Sequence, residues 1–207
     1  MQADKTMPRL PLKTGSPDDF QTPPEALDIL LPYLSGYSHV WECAAGKGNL
    51  AGALKAEGFK VTATDKEWNF LSGRDNPDGA DVIVTNPPYS IKNAFLERAY
   101  ERGLPFAFLL PLSTLESARR QKLFARYGID IVLPSRRYHF ETPSGRSGKS
   151  SSAWFATAWF CHGIPMPRQI MFCPDVMPER PVFNTPEDAR TIETRQLARA
   201  RQALQSA

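Results

Sequence analysis

Apolar residues along the chain fall into short continuous runs and into stretches with helical spacing, which predict strands and helices in turn. The predicted strands are residues 40–43, 59–64, 81–85, 106–110, 129–133 and 153–160. The predicted helices are residues 22–34, 49–57, 91–102 and 113–127, with Thr22 and Ser113 or Thr114 as candidate N-caps. Such alternation with short links is typical of an α/β fold with an open, doubly wound, mostly parallel sheet. We expect one antiparallel strand at its edge.

Composition divides the chain into three predicted segments. Residues 1–20 are rich in Pro, Asp, Lys and Ser without periodicity, and we expect an irregular arm there. Residues 21–162 contain the alternating elements and form the predicted domain. Residues 163–207 combine a Pro-rich stretch with a charged helix expected at 186–206, which is a candidate surface for homodimer formation.

Composition also excludes several classes of protein. The chain has 207 residues, of which 42% are hydrophobic and 23% charged, as expected for one globular domain. Since no apolar run reaches the length of a membrane span and no secretory leader is visible, we expect a cytoplasmic protein without membrane contact. The three cysteines are widely spaced and predict reduced thiols. No Cys and His grouping has metal-ligand spacing, so no metal site is expected.

The net charge of +3 is unevenly distributed. Residues 113–151 carry eight Lys and Arg against three Asp and Glu, a net charge of +5. Such a basic island is either a footprint for phosphates or a solvated helix face, and a charge run alone favours the second interpretation. Within the polar loop 144–150, Arg146 and Lys149 are candidate phosphate contacts, although a solvated hairpin tip has the same composition.

Three chemically suggestive segments follow predicted strands: Glu42 to Gly48, Asp65, and Asn86 to Tyr89. Because ligands of open parallel sheets bind at the carboxyl ends of the strands, we expect these segments to meet at one edge.

The first of these segments is a glycine loop, Glu-Cys-Ala-Ala-Gly-Lys-Gly-Asn-Leu over residues 42–50. Glycines let the backbone approach a ligand, and the following helix N-terminus offers free N–H groups. A dinucleotide site would suit Asp65, but Glu42 would repel a pyrophosphate and attract an ammonium. Asp65 can accept hydrogen bonds from two ribose hydroxyls, or it can cap a turn. Together the two carboxylates suit S-adenosylmethionine.

Residues 86–89 read Asn-Pro-Pro-Tyr. The amide oxygen of Asn86 and a backbone carbonyl can both accept hydrogen bonds from one NH2 group, and the prolines stiffen the turn. The Tyr89 ring can stack on a flat substrate. This set suits methyl transfer to a planar amine, whereas the alternative is an ordinary strand-ending turn.

The chain resembles the S-adenosylmethionine-dependent amino-methyltransferases of DNA adenine in three segments that occur in this order: Glu42–Leu50, Asp65 and Asn86–Tyr89. The segment Gln21–Leu27 resembles the one before the glycine loop in one subgroup, and residues 138–160 and the overall size are similar to small phage or prophage members. The resemblance covers roughly residues 20–160, and its specific part is Asn-Pro-Pro-Tyr. It implies a Rossmann-like class I methyltransferase fold.

The resemblance also implies roles for single residues. Asn86 and the Pro87 carbonyl would accept the adenine amine hydrogens, while Pro88 and Tyr89 would lie against a base flipped out of its stack. Phe140 is the candidate for a second stacking ring, with Tyr138 as its rival and core packing as the alternative. The implied cofactor-binding residues are Thr22, Glu42, Ala44, Gly46, Gly48, Asp65 and Asp75.

The chain has no room between Tyr89 and Phe160 for the target-recognition domain of larger family members. Recognition would then fall to the basic loop, the arm, the tail or a second subunit. Three alternatives to DNA adenine remain open: RNA adenine, the glutamine side chain of release factors, and a catalytically dead DNA-binding module. The intact Glu42, Asp65 and Asn86 disfavour the last of these.

Overall fold

The computed structural model describes residues 20–65, 70–72, 76–77, 79–140 and 155–172. The described helices are α1 (Glu25–Asp28), α2 (Asn49–Ala56), α3 (Lys92–Arg102) and α4 (Ala118–Tyr127). The described strands are β1 (His39–Glu42), β2 (Lys60–Ala63), β3 (Val82–Thr85), β4 (Phe106–Pro111), β5 (Asp130–Leu133), β6 (Thr157–His162) and β7 (Ile170–Phe172). They form one seven-stranded sheet in the order β2-β1-β3-β4-β6-β5-β7.

Six of the described strands share one direction, and β6 runs against them. The mostly parallel sheet predicted from the sequence is therefore confirmed. The antiparallel strand, however, lies between β4 and β5, third from the edge of the sheet and not at the edge itself. Its residues 158–161 are fully buried, and a strand that is apolar on both faces belongs inside a sheet.

Alternate residues of the strands face two separate apolar layers, as the period of an extended chain requires. On one face, α1 and α2 pack through Leu27 and Leu54 against Val40 and Leu109. On the other face, α3 packs through Leu96 against a layer that the central strands supply; its members include Trp41, Ile83, Phe106, Phe108 and Phe160. Helices thus cover both faces, and the doubly wound arrangement is confirmed.

The first helix is shorter than predicted. It ends at Asp28, and the chain continues through a 3-10 turn at Leu31–Tyr33. Pro32 has no N–H group to donate, which interrupts the α-helical hydrogen bonds. The prediction of Thr22 as the N-cap is wrong, because Pro24 occupies that position.

The helix predicted from Ser113 or Thr114 also begins later. A 3-10 turn occupies Leu112–Glu116, and Ser117 is the N-cap of α4. The guanidinium of Arg120 donates hydrogen bonds to the backbone carbonyls of Ser113 and Thr114. These bonds stabilise the turn.

Part of the basic island serves the contact between α3 and α4. Arg119 Nε lies 2.7 Å from Glu97 Oε1, and Arg120 donates to Asn93 Oδ1 at 2.9 Å. These two cations therefore have partners inside the protein, in agreement with the helix-face interpretation of this part of the charge run.

The sheet continues beyond residue 162, the predicted end of the domain. Ile164 is 3% exposed, and β7 pairs with β5. The predicted arm up to residue 19, the basic loop 144–150 and the C-terminal helix at 186–206 lie outside the described residues. Homodimer formation through that helix stays a prediction. Within the described ranges, no helix is long and apolar enough to cross a membrane, and no group of three metal-ligating side chains is assembled.

The segment that enters the fold at Phe20 is fastened to the sheet by Trp159. Its indole Nε1 donates a buried hydrogen bond of 2.7 Å to the carbonyl of Ala26. We expect Trp159→Phe to lower the free energy of unfolding by about 2 to 4 kcal/mol, because a buried carbonyl loses its donor and ring volume is lost. Urea unfolding measures this loss.

The matched control is Tyr100→Phe. Its hydroxyl donates to the carbonyl of Gly128 at 2.7 Å, and Gly128 is exposed, so water can replace the lost donor. If Tyr100→Phe lost as much free energy of unfolding as Trp159→Phe, the buried hydrogen bond to Ala26 would contribute no more to stability than the exposed bond to Gly128.

Candidate functional site

The carboxyl ends of β1, β2 and β3 open on a cleft of about 600 Å³. Seven of the site residues predicted from the sequence line it: Thr22, Glu42, Ala44, Gly46, Asp65, Asn86 and Pro88. The three strand ends therefore meet at one edge of the sheet, as their order along the chain predicts. The roles of the individual residues stay predictions.

The glycine loop forms one wall of the cleft. Gly46 has a φ of 52°, in the left-handed region that glycine adopts without strain. Ala45 N donates to the carbonyl of Thr64 at 3.0 Å, and Lys47 N donates to Gln21 Oε1 at 3.2 Å. These bonds tie the loop to the end of β2 and to the segment before α1. They restrain the loop at Ala45 and Lys47.

Glu42 is a buried carboxylate, only 1% exposed, at the floor of the cleft. Its Oε1 accepts hydrogen bonds from Ala44 N, at 3.1 Å, and from the Thr85 hydroxyl. Burial raises the pKa of Glu42 to about 7; the two hydrogen bonds oppose this rise, and the nearby Asp65 adds to it. No Lys or Arg of the described ranges lies within salt-bridge distance of it. A cationic ligand group would supply the missing partner.

Asn86 begins the turn that follows β3 and lines the cleft. Its Nδ2 donates a hydrogen bond of 2.9 Å to the backbone carbonyl of Phe20. Its Oδ1 is buried and has no hydrogen-bond partner among the described residues. A buried acceptor without a donor is uncommon in folded proteins and is costly, so this oxygen is suited to receive a donor from a ligand.

Beside Asn86 lies a group of rings, called here the aromatic cluster: Phe20, Tyr89, Phe140 and Phe155. Phe20 stacks on Tyr89 with ring centroids 5.6 Å apart and an interplanar angle of 25°. Phe140 and Phe155 meet Phe20 edge-on at 5.8 Å and 5.6 Å. The structure therefore brings the predicted stacking residues Tyr89 and Phe140 into one cluster, with Phe20 in contact with both.

The other predicted site residues lie outside the cleft lining or outside the described ranges. Gly48 is the N-cap of α2, with a φ of 85°. Pro87 is buried, and Tyr138 is 5% exposed in the core layer beneath α1 and α2. The predicted residues whose placement is not described are Asp75, Arg146 and Lys149.

The sequence analysis gave no role to six residues of the cleft lining: Phe20, Gln21, Ala45, Lys47, Asn49 and Leu50. Phe20 lies in the stretch predicted to be an irregular arm, because one aromatic residue in a polar stretch gives no periodic signal. The available signal was its position directly before the segment Gln21–Leu27, whose resemblance could have been extended by one residue. The contact of Gln21 with Lys47 depends on two loops that only the fold brings together.

A smaller groove of about 150 Å³ lies at the same edge of the sheet, where β4 and β5 end and β6 begins. Arg136 and Arg137 line it and are exposed. Thr157 also lines it, and the buried Thr157 hydroxyl has no hydrogen-bond partner among the described residues. Two guanidinium groups and an unsatisfied hydroxyl are suited to an anion.

No family model and no curated protein matches the chain. A solved structure from Pyrococcus horikoshii, assigned as an RNA methyltransferase, is 20% identical, with a TM-score of 0.44 over 69% of this chain and 84% of the other. One from Agrobacterium tumefaciens, assigned as an O-methyltransferase, is 13% identical, with a TM-score of 0.45 over 70% and 83% of the two chains.

A dimethyladenosine transferase from Plasmodium falciparum is 14% identical, with a TM-score of 0.41 over 71% of this chain and 63% of the other. Identities and TM-scores at this level are too low to transfer an activity to this chain.

The pKa of Glu42 predicts a pH dependence of stability that Glu42→Gln removes. Because the raised pKa means that the folded protein holds this proton more tightly than the unfolded chain, stability falls as the pH rises from 4.5 to about 7. The fall is at most roughly 3 kcal/mol, and below this window the carboxyl is neutral in both states. Urea unfolding at a series of pH values measures the slope.

The control is Glu57→Gln, which removes an exposed carboxylate at the end of α2. It should retain the slope of the wild type. A slope in Glu42→Gln as steep as that of the wild type would assign the pH dependence to another group.

Proposed function

We propose that this protein transfers a methyl group from S-adenosylmethionine to the exocyclic N6 amine of adenine in DNA. The observation that carries the proposal is the unpartnered, buried Oδ1 of Asn86, in the Asn-Pro-Pro-Tyr segment that also carries Tyr89 and in the same cleft as Glu42 and Asp65. An acceptor beside an aromatic ring suits a planar amine. Two carboxylates suit the ammonium and ribose of the cofactor.

The residues of the cleft fit S-adenosylmethionine in size and in chemistry. A cleft of about 600 Å³ lies within the range of small-molecule sites. Glu42 would bind the cofactor's ammonium, Asp65 its ribose hydroxyls, and Thr22 and Lys47 its carboxylate. When bound, the cofactor supplies a methyl group on a positively charged sulfur.

The protein's own contribution is to hold the amine in place. Asn86 Oδ1 and the Pro87 carbonyl would accept the two amine hydrogens, which directs the nitrogen lone pair towards the methyl group. Tyr89 would hold the plane of the ring by stacking. Since an unfilled buried acceptor costs about 1–3 kcal/mol, a bound amine recovers a free energy that a ring without an amine leaves unrecovered.

A nucleic acid substrate is supported by the aromatic cluster and the smaller groove. Extruding a base from a duplex costs a few kcal/mol, and stacking on an aromatic side chain returns about 1–3 kcal/mol per base. Arg136 and Arg137 lie at the same edge of the sheet as the cleft and would bind phosphates of the same strand.

Identification of the methylated product tests the proposal. The purified protein is incubated with tritiated S-adenosylmethionine and, separately, with duplex DNA, single-stranded DNA, RNA or a release factor, and the products are digested. N6-methyladenine from DNA is the expected labelled product. Label in RNA adenosine or in glutamine would identify RNA or the release factor as the substrate in place of DNA. Absence of label from all four acceptors would contradict the proposed methyltransferase activity.

We expect Asn86→Ala to lower the rate of methyl transfer by about 100-fold or more, because the acceptor that orients the amine is lost. Cofactor affinity should change less than about twofold, since the assigned cofactor contacts remain. Single-turnover kinetics and calorimetry measure the two quantities. The control is Asn93→Ala on α3, where the amide contacts Arg120 and lies outside the cleft lining. If Asn86→Ala transferred methyl groups as fast as this control, Asn86 would not be the acceptor for the substrate amine.

Replacing both Arg136 and Arg137 by Ala is expected to flatten the salt dependence of DNA binding. Each lost phosphate contact should reduce the slope of log K against log salt by about 0.9 on duplex DNA. Fluorescence anisotropy with a labelled duplex at several KCl concentrations measures the slope. Lys60→Ala is the control, because this exposed cation lies at the amino end of β2, whereas the cleft and the smaller groove lie at the carboxyl ends of the parallel strands. An unchanged slope in the double variant would place the phosphate contacts elsewhere, with Arg146 and Lys149 as the next pair to change.

A further inference from the structure

The Phe20 ring lies where a planar ligand would stack on Tyr89. The two rings are 5.6 Å apart at an angle of 25°, a stacked geometry. Phe140 and Phe155 close around the Phe20 ring edge-on, at angles of 67° and 79°. One aromatic ring of the protein thus fills a position enclosed by three others.

Phe20 makes only one of the two interactions that a ligand ring could make at this position. Its ring stacks, but a hydrocarbon ring has no hydrogen-bond donor, and Asn86 Oδ1 stays without a partner among the described residues. A ring that carries an amine can stack in the same way and also donate to this oxygen. The exchange of Phe20 for such a ring therefore gains one hydrogen bond.

The backbone at Phe20 is held on both sides, whereas its ring is only half-buried. The Phe20 carbonyl accepts the 2.9 Å hydrogen bond from Asn86 Nδ2. The next residue, Gln21, is 5% exposed and accepts a hydrogen bond from Lys47 N. Rotation about the Cα–Cβ bond of Phe20 can move the ring to another staggered position while the carbonyl stays.

We propose that Phe20 is a placeholder for the substrate base. Its ring covers Tyr89 until an amine-bearing ring displaces it, and its carbonyl keeps the Asn86 amide oriented throughout the exchange. This inference rests on the proposed function of the same site. Only molecules in which the Phe20 ring is displaced can stack a ligand ring on Tyr89. The protein's apparent affinity for any such ring is therefore reduced in proportion to the fraction of these molecules.

Removal of the Phe20 ring should therefore tighten binding. We expect Phe20→Ala to bind a fluorescein-labelled single-stranded oligodeoxyadenylate about five- to tenfold more tightly than the wild type, without cofactor. An oligonucleotide of the same length with unsubstituted purine, which lacks the amine, should gain by the same factor. The preference for adenine over purine should stay unchanged, because it depends on Asn86.

Two further variants separate a placeholder from a structural ring. Phe155→Ala removes an identical side chain from the aromatic cluster, but Phe155 lies at 84° to Tyr89 and does not stack on it as Phe20 does. It should not tighten binding. Phe20→Trp offers a larger stacking surface and should bind the oligonucleotide more weakly than the wild type. Urea unfolding of each variant checks that it is folded.

The outcomes distinguish this inference from the proposed function. If the wild type methylates no adenine acceptor, the proposed function fails, while the binding series still reports on Phe20. If the wild type methylates DNA and Phe20→Ala binds as well as the wild type or more weakly, Phe20 is a fixed wall and the placeholder is wrong. Failure of both oligonucleotides to bind Phe20→Ala would also overturn it.

Discussion

The amide of Asn86 joins two parts of the chain that are 66 residues apart in sequence. Its nitrogen is bound to the Phe20 carbonyl, so the orientation of the amide is set and its oxygen is left as an acceptor. That oxygen is buried and has no donor among the described residues. The proposed orientation of the substrate amine depends on this fixed oxygen, because a freely rotating amide would present its NH2 group as often as its oxygen.

The second constraint on the site is the burial of Glu42. A carboxylate in a parallel sheet's core is unfavourable, and two hydrogen bonds offset only part of that cost, as its pKa of about 7 indicates. The folded protein therefore carries a group that a cationic ligand would stabilise in its charged form. Binding of a cation would therefore add to the stability of the folded protein.

A run of charge along the sequence does not show where the fold places each charged side chain. Two cations of the basic island, Arg119 and Arg120, fasten α4 to α3 and to the preceding turn. Arg136 and Arg137, from the same island, line a groove at the edge of the sheet that also carries the cleft. The distinction depends on where the fold places each side chain, which a count of charges along the chain does not contain.

The sequence by itself determined the alternation of helices and strands, the parallel sheet and the meeting of Glu42, Asp65 and Asn86 at one edge. These follow from local periodicity and from the geometry of parallel strands, which acts within a few residues. Only the tertiary structure decided that the apolar strand β6 lies inside the sheet and that Phe20 stacks on Tyr89. A residue without a periodic neighbourhood gives no local signal, and its partners are chosen by packing between segments that are distant in sequence.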